Sequence, residues 1–136
     1  MNFLRSHAAL TRALNGELVT AHGLTINDYE VLLHLQQTPG HRLRRVDLAE
    51  RLLLTASGIT RLLEGLERAG YVAKARCDSD ARVTYAVITA AGEAKLREAS
   101  RTHLAGVRRL FESRFDEREA ATLAELLERL PQACSM

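Results

Sequence analysis

The stretch VDLAERLLLTASGITRLLEGLERAG, residues 46–70, decides the fold, because it reads as two helices joined by a very short turn. The second helix begins after Thr55, whose side chain can cap it, and Gly70 lies just past its end, where a left-handed residue is favoured. Its apolar stripe has i, i+3, i+4, i+7 spacing and consists of Ile59, Leu62, Leu63 and Leu66. Two helices so closely joined cross steeply, and the stretch therefore predicts a helix-turn-helix.

A β-hairpin is predicted soon after these helices, in the sequence KARCDSDARVTYAVIT, Lys74 to Thr89. In its second arm Val83, Tyr85 and Val87 alternate with smaller residues, which is the pattern of a half-buried strand. A lone hairpin is barely stable in water, so this one must pack on the helices. A hairpin that follows a helix-turn-helix is a wing.

Further helices are predicted on both sides of this region. Residues 3–21 and the segment after Thr25 form two helices before it. A long helix capped by Thr89 follows the hairpin, and a last helix opens on the capping box of Asp116 and Glu119. The flanking helices carry more leucine than a small core can cover, which suggests a partner subunit. The predicted fold is mainly α with a small β wing: a winged helix-turn-helix with N- and C-terminal dimerisation helices.

The overall composition fits one globular domain, with 136 residues of which 46% are hydrophobic and 26% are charged. No apolar run approaches the roughly 18 residues of a membrane span, and the N-terminus does not resemble a signal peptide. We therefore expect a cytoplasmic protein with no membrane partner. The two cysteines, Cys77 and Cys134, form no CxxC pair, and the five histidines show no ligand spacing. We expect no metal ion, no cofactor and no catalytic site.

The middle of the chain is its basic part. Residues 42–82 contain nine arginines and lysines against six acids, giving +3, whereas the whole chain has a net charge of +2. Most basic residues are arginine, which suits forked contacts to phosphates and bases. The distribution favours a polyanionic partner.

The exposed face of the second helix is the first candidate for DNA contact. Ser57 and Thr60 can form hydrogen bonds with phosphates or base edges, and Arg61 can make a bidentate hydrogen-bonded contact with guanine. The positive N-terminus of a helix also attracts phosphate. The alternative is an ordinary solvated face, but the first two turns contain neither acid nor lysine. The composition therefore favours DNA contact.

The tip of the hairpin is the second candidate. Arg82 can reach a narrow minor groove, where the negative potential favours arginine, and Asp80 can hold its guanidinium in place. The alternative is a turn with an incidental surface ion pair, which contributes little energy.

The sequence resembles the MarR family of bacterial winged-helix repressors over almost the whole chain. The resemblance is carried by residues 46–96, from VDLAERLLL through LERAGYV and DSDAR to ITAAG. It implies a single domain, 1–136, with a DNA-binding core at 25–89 and dimer-forming helices at 1–22 and 90–136. Arg44 stands where a Ser or Thr is commoner, and one hypothesis is that it contacts phosphate. The DNA-binding candidates are then Arg44, Thr55, Ser57, Thr60, Arg61, Asp80 and Arg82.

Many members of the family bind small phenolic or anionic effectors in a crevice between the dimer helices and the winged region. The residues that could line such a crevice here are His22, Tyr29, His34 and Tyr71. The alternative is that these four side chains are partly buried structural residues. A low-pKa thiolate at Cys77, beside Arg76, is a further hypothesis, against a merely structural or exposed cysteine.

The sequence and its resemblance together predict a homodimeric, sequence-specific repressor that binds double-stranded DNA at a palindromic operator and is released by a small molecule. The alternative function is a winged-helix module that binds protein and has no specific DNA role. An enzyme is not expected, because no pairing of a nucleophile with a base can be argued from the residues.

Overall fold

The computed structural model describes residues 1–80 and 82–132, so Cys134 lies outside the described part of the chain. Its helices are α1 (Asn2–His22), α2 (Ile26–Gln37), α3 (Arg45–Leu52), α4 (Ala56–Arg68), α5 (Ala90–Glu112) and α6 (Glu117–Leu127). Its strands are β1 (Arg42–Arg44), β2 (Val72–Arg76) and β3 (Thr84–Ile88). A 3-10 turn, Pro39–His41, precedes β1. The predicted mainly α fold with a small β wing is confirmed.

The chain divides into two compact units. The winged unit is Asn27–Glu98, and the flanking unit combines Met1–Ile26 with Ala99–Met136. The winged unit therefore includes the first part of α5, beyond the sequence-based boundary at residue 89. It holds both helices of the helix-turn-helix and the whole sheet.

The wing is a three-stranded antiparallel sheet with the strand order β1-β3-β2. The hairpin of β2 and β3 was predicted, but β1 was not, because RLR is short and two of its three residues are charged. Leu43 explains the strand: it pairs with Ala86 of β3 and is only 6% exposed. Arg42 and Arg44 remain exposed on either side of it. The buried side chain of Leu43 and the backbone pairing together hold β1 against β3.

The core of the winged unit is built from apolar side chains of α2, α3 and α4. The fully buried side chains include Val31, Leu32 and Leu35 of α2, Leu48 of α3 and Ile59 of α4. In the sheet, the buried positions of β3 are Ala86 and Ile88, whereas Tyr85 and Val87 are half-buried. The guanidinium of Arg42 covers the ring of Tyr85, 4.6 Å from its centroid. The more deeply buried face of β3 is therefore the one that carries Ala86 and Ile88, and the predicted set of Val83, Tyr85 and Val87 is only half-buried.

The start of α5 is tied closely to the end of α4. Gly70 has φ 83°, as its position after the helix predicted. Thr89 caps α5 by accepting from Gly92 N at 3.0 Å, and its hydroxyl donates to Gly70 O at 2.7 Å. Thr89 N donates to Tyr71 O at 3.0 Å. These bonds fix the point where the sheet passes into α5.

The flanking unit exposes much of its apolar surface. Of ten exposed large hydrophobic residues in the described chain, eight belong to this unit: Met1, Phe3, Leu4, Val19, Leu104, Phe115, Leu126 and Leu130. No residue of α6, all of which is described, is buried. An ion pair of Glu17 with Arg109 joins α1 to α5. The predicted surplus of leucine is therefore present as exposed surface in the single chain.

The capping box at the start of α6 is confirmed. Asp116 accepts from Glu119 N at 2.8 Å, and the side chain of Glu119 accepts from Asp116 N at 3.1 Å. We expect Asp116→Ala to lower the free energy of unfolding by about 1 kcal/mol, the usual cost of losing an N-cap. Asp116→Asn keeps an accepting oxygen and is the matched control. Chemical denaturation measures both, and an equal loss in the two variants would contradict the capping role.

Neither a membrane span nor a metal cluster is found in the described residues. None of their helices is both long and apolar enough to cross a bilayer. Nor do three or more His, Cys, Asp or Glu side chains in residues 1–80 and 82–132 come together as metal ligands.

Candidate nucleic-acid interface

The turn between α3 and α4 is tight and has one residue in an unusual conformation. Leu53 lies in the left-handed region with φ 54° and ψ 42°, and its side chain is 78% exposed. Leu54 N donates back to Ala49 O at 2.9 Å, which closes the turn. Thr55 Oγ1 then accepts from Gly58 N at 3.0 Å and lies 3.2 Å from Ser57 Oγ. Thr55 therefore has a demonstrated structural role as the N-cap of α4.

The helix α4 buries one face and exposes the other. Ile59, Leu63 and Leu66 are buried, while Ser57 and Arg61 are exposed and Thr60 is half-buried. Thr60 Oγ1 donates to Ala56 O, four residues earlier, at 2.9 Å. The first two turns of α4 thus present small and basic side chains without any acid.

The predicted ion pair at the wing tip is present. Arg82 Nε donates to Asp80 Oδ1 at 3.1 Å and Arg82 Nη2 to Asp80 Oδ2 at 3.3 Å, and Arg82 N also donates to Oδ1. The hydrogen bonds from Arg82 hold the pKa of Asp80 below its usual value. The side chain of Arg82 is nevertheless 92% exposed. Its guanidinium is held at a fixed place while it stays open to a partner.

Arg44 is held in the same way at the start of α3. Its Nε donates to Asp47 Oδ2 at 3.0 Å, and its Nη2 donates to Asp47 Oδ1 at 3.2 Å. These bonds and the charge of Asp47 raise the pKa of Arg44. The N-cap position is Arg44 itself, and its side chain makes no capping bond. Arg44, which replaces the commoner Ser or Thr, is therefore an exposed cation whose guanidinium is oriented by Asp47.

A groove connects the start of α3 with the base of the wing. Its volume is about 300 Å³, and its lining residues are Arg44, Arg45, Val46, Arg82, Val83 and Thr84. Three arginine residues therefore line one groove. Forked N–H donors of this kind match the oxygens of a phosphate group. The groove is thus suited to a segment of a polyanionic backbone.

Four residues of this groove were not among the sequence-based candidates for DNA contact: Arg45, Val46, Val83 and Thr84. Arg45 is half-buried, and its Nη1 donates to Thr60 Oγ1 at 3.4 Å. Val46 is 64% exposed beside it. The run RLRR was the available signal, but without β1 the sequence does not show which arginine turns toward α4.

The four candidates for an effector crevice have different surroundings. In the flanking unit, His22 Nε2 lies 2.7 Å from Thr102 Oγ1. In the winged unit, Tyr29 is buried, and Lys95 Nζ lies 5.9 Å from the ring centroid of Tyr71. Burial, and then the charge of Arg51, lower the pKa of His34, which favours its neutral form. The crevice itself stays a prediction.

Cys77, just after β2, has a perturbed thiol. Its Sγ lies 3.1 Å from Ser79 Oγ. Hydrogen bonds from the Ser79 side chain, then from the backbone of Ser79 and Asp80, lower the pKa of Cys77. The cause is therefore the turn, and not the neighbouring Arg76 that the sequence had suggested.

We expect Cys77 to react with iodoacetamide at neutral pH faster than an unperturbed thiol, because more of it is thiolate. In Ser79→Ala the largest stabilising bond is lost, so the midpoint of the rate against pH should move upward. The measurement uses a Cys134→Ala background, so that Cys77 is the only cysteine that can react with the reagent. The same midpoint with and without Ser79 would contradict this origin of the shift.

Comparison with known proteins agrees with this architecture. A family model described as MarR family matches residues 22–83. The HTH-type transcriptional repressor YetL of Bacillus subtilis is 32% identical over 111 residues, which cover 79% of this chain and 66% of that relative. This chain thus spans slightly less than two thirds of YetL.

Solved structures extend the likeness to nearly the whole chain. AbsC, a MarR family transcriptional regulator from Streptomyces coelicolor, is 32% identical with a TM-score of 0.85, covering 94% of this chain and 86% of AbsC. Sco3205, a MarR family regulator from the same organism solved in complex with DNA, is 27% identical with a TM-score of 0.86, covering 93% of this chain and 79% of Sco3205. The winged helix-turn-helix, the match to the family model and the 32% sequence identity with AbsC show that this chain belongs to the MarR family. The members of this family are DNA-binding transcriptional regulators and not enzymes.

Proposed function

We propose that this protein is a homodimeric repressor that binds a palindromic operator through α4 and the wing. In this proposal α4 enters the major groove and Arg82 the minor groove of each half-site. The observation that carries it is the groove where Arg44, Arg45 and Arg82 converge between α3 and the wing. A DNA backbone that passes between the two reading elements would run along this groove.

The charges around the groove support a polyanion over a protein surface as its partner. Arg44 and Arg82 are each oriented by a carboxylate and remain exposed. A guanidinium that is already oriented loses less freedom when it binds phosphate. The first turns of α4 add a helix N-terminus with no acidic side chain. The groove and α4 together favour DNA over the alternative, a module that binds protein only.

The proposed homodimer rests on the flanking unit. Its eight exposed large hydrophobic residues lie on α1, α5 and α6 or in the segments next to α1 and α6. Apolar surface of this extent is characteristic of an interface, and a two-fold dimer would cover it on both copies at once. Two recognition helices related by a two-fold axis require an operator with the same symmetry.

Repression and its relief are the finer parts of the proposal. YetL carries the name of a repressor. A small phenolic or anionic effector would act by binding more tightly to a dimer conformation in which the spacing of the two recognition helices does not fit DNA. The residues proposed for its binding remain His22, Tyr29, His34 and Tyr71. Displacement of labelled operator by a panel of aromatic acids would identify the effector.

The experiment that tests DNA binding selects a site from a random-sequence pool with the full-length protein. Fluorescence anisotropy then compares that site with a scrambled duplex at two salt concentrations, and light scattering gives the mass of the complex. We expect a dimer that prefers the selected site by at least about 1,000-fold. Its affinity should fall steeply as salt rises. Equal, weak affinity for both duplexes would reject the proposal and favour the protein-binding module.

A further inference from the structure

The hydroxyl of Thr60 is already engaged inside the protein. It donates its hydrogen to Ala56 O at 2.9 Å and accepts from Arg45 Nη1 at 3.4 Å. A hydroxyl has one hydrogen and two lone pairs, so this donor capacity is fully used. Guanine N7 and O6 and thymine O4 are acceptors in the major groove and need a donor. Thr60 therefore cannot read these atoms without breaking its bond within α4.

The remaining lone pair of Thr60 is a poor partner for the amino groups of adenine or cytosine. These groups approach with a hydrogen that carries positive partial charge. The guanidinium of Arg45 lies against the same oxygen, and it repels a second positive group at short range. The hydroxyl of Thr60 is thus disfavoured as a reader of either kind of base atom.

The methyl group of Thr60 has no such restriction. Thr60 lies between Ser57 and Arg61 in the half of α4 that contains no acid, and the residue is only half-buried. Threonine methyl groups contact the C5-methyl group of thymine, a feature that no other base has in the major groove. We infer that Thr60 recognises a thymine in each half-site through its methyl group, with Arg45 holding the hydroxyl away from the bases. This inference rests on the proposed entry of α4 into the major groove.

The experiment replaces each thymine of the selected site by deoxyuridine, which removes only the C5-methyl group. Binding of full-length wild-type protein, Thr60→Val and Thr60→Ser is measured by anisotropy, and circular dichroism confirms that each variant is folded. Valine keeps the methyl group and loses the hydroxyl, whereas serine does the reverse. Burial of one carbon-sized apolar group corresponds to about fourfold in Kd for each half-site, so symmetric substitution should give about 15-fold.

We expect one symmetric pair of thymines at which deoxyuridine weakens both wild type and Thr60→Val, while Thr60→Ser no longer responds. Retained sensitivity in Thr60→Ser, loss of sensitivity in Thr60→Val, or a wild type that responds at no thymine would overturn the inference and leave the proposed function standing. If the wild-type protein has no sequence preference at all, the proposed function fails, and the role of Thr60 fails with it.

Discussion

Gly92→Ala is expected to lower the free energy of unfolding by about 1–3 kcal/mol, because there is no room for a Cβ atom at this position of α5. A Cβ atom at this position would lie inside van der Waals contact of the carbonyl oxygen of Tyr71 and 2.9 Å from Ile88 Cγ1. The Tyr71 carbonyl cannot move freely, since it also accepts from Thr89 N. The strain would therefore fall on the junction that sets the sheet against α5.

The matched control for this substitution is Gly65→Ala in α4. The nearest atom to a Cβ there is Arg68 Nη2, at 3.9 Å, so the methyl group fits. Alanine in a helix interior should raise stability by about 0.5–1 kcal/mol relative to glycine. Thermal unfolding at one protein concentration measures both variants, and the expected shifts have opposite signs. A Gly92→Ala protein as stable as wild type would show that the junction relaxes at little cost.

The helices could be predicted from the sequence because each carries its own local signals. Thr55 and Asp116 cap as their types predict, and Gly70 adopts the left-handed conformation that its position predicts. In α4 the predicted apolar stripe also identifies the buried face. These features depend on residues a few positions apart, so a single sequence contains the information.

The strand β1 and the arginine groove could not be predicted, because both depend on contacts that are distant in sequence. Arg44 meets Tyr85 only through the pairing of β1 with β3, and Arg45 meets Thr60 only when α3 crosses α4. The wing pair of Asp80 and Arg82 could be predicted because the two partners are only two positions apart in the sequence. The contact within the wing tip was therefore predicted, and the contacts that join separate elements were not.

Arg82→Ala should weaken binding of the dimer to the selected operator by at least about 100-fold at physiological salt. Each half-site loses one charge-assisted contact, which contributes about 1.5–3 kcal/mol when it is made by an oriented group. Asp80 provides that orientation, and the 92% exposure of Arg82 leaves it open to DNA. If each Arg82 neutralises one phosphate, a dimer without both arginines neutralises two fewer. The slope of log K against log salt should then become shallower by about 1.8.

Arg68→Ala is the control with the same change of charge. Arg68 is exposed at the last residue of α4, roughly 18 Å from its start at the helical rise of 1.5 Å per residue. We expect its removal to change affinity by less than about threefold, since α4 is proposed to meet DNA through its first turns. Anisotropy titrations over a range of salt compare both variants with wild type. An equal effect of the two substitutions would mean that Arg82 contributes only net charge, so that the wing does not occupy the minor groove.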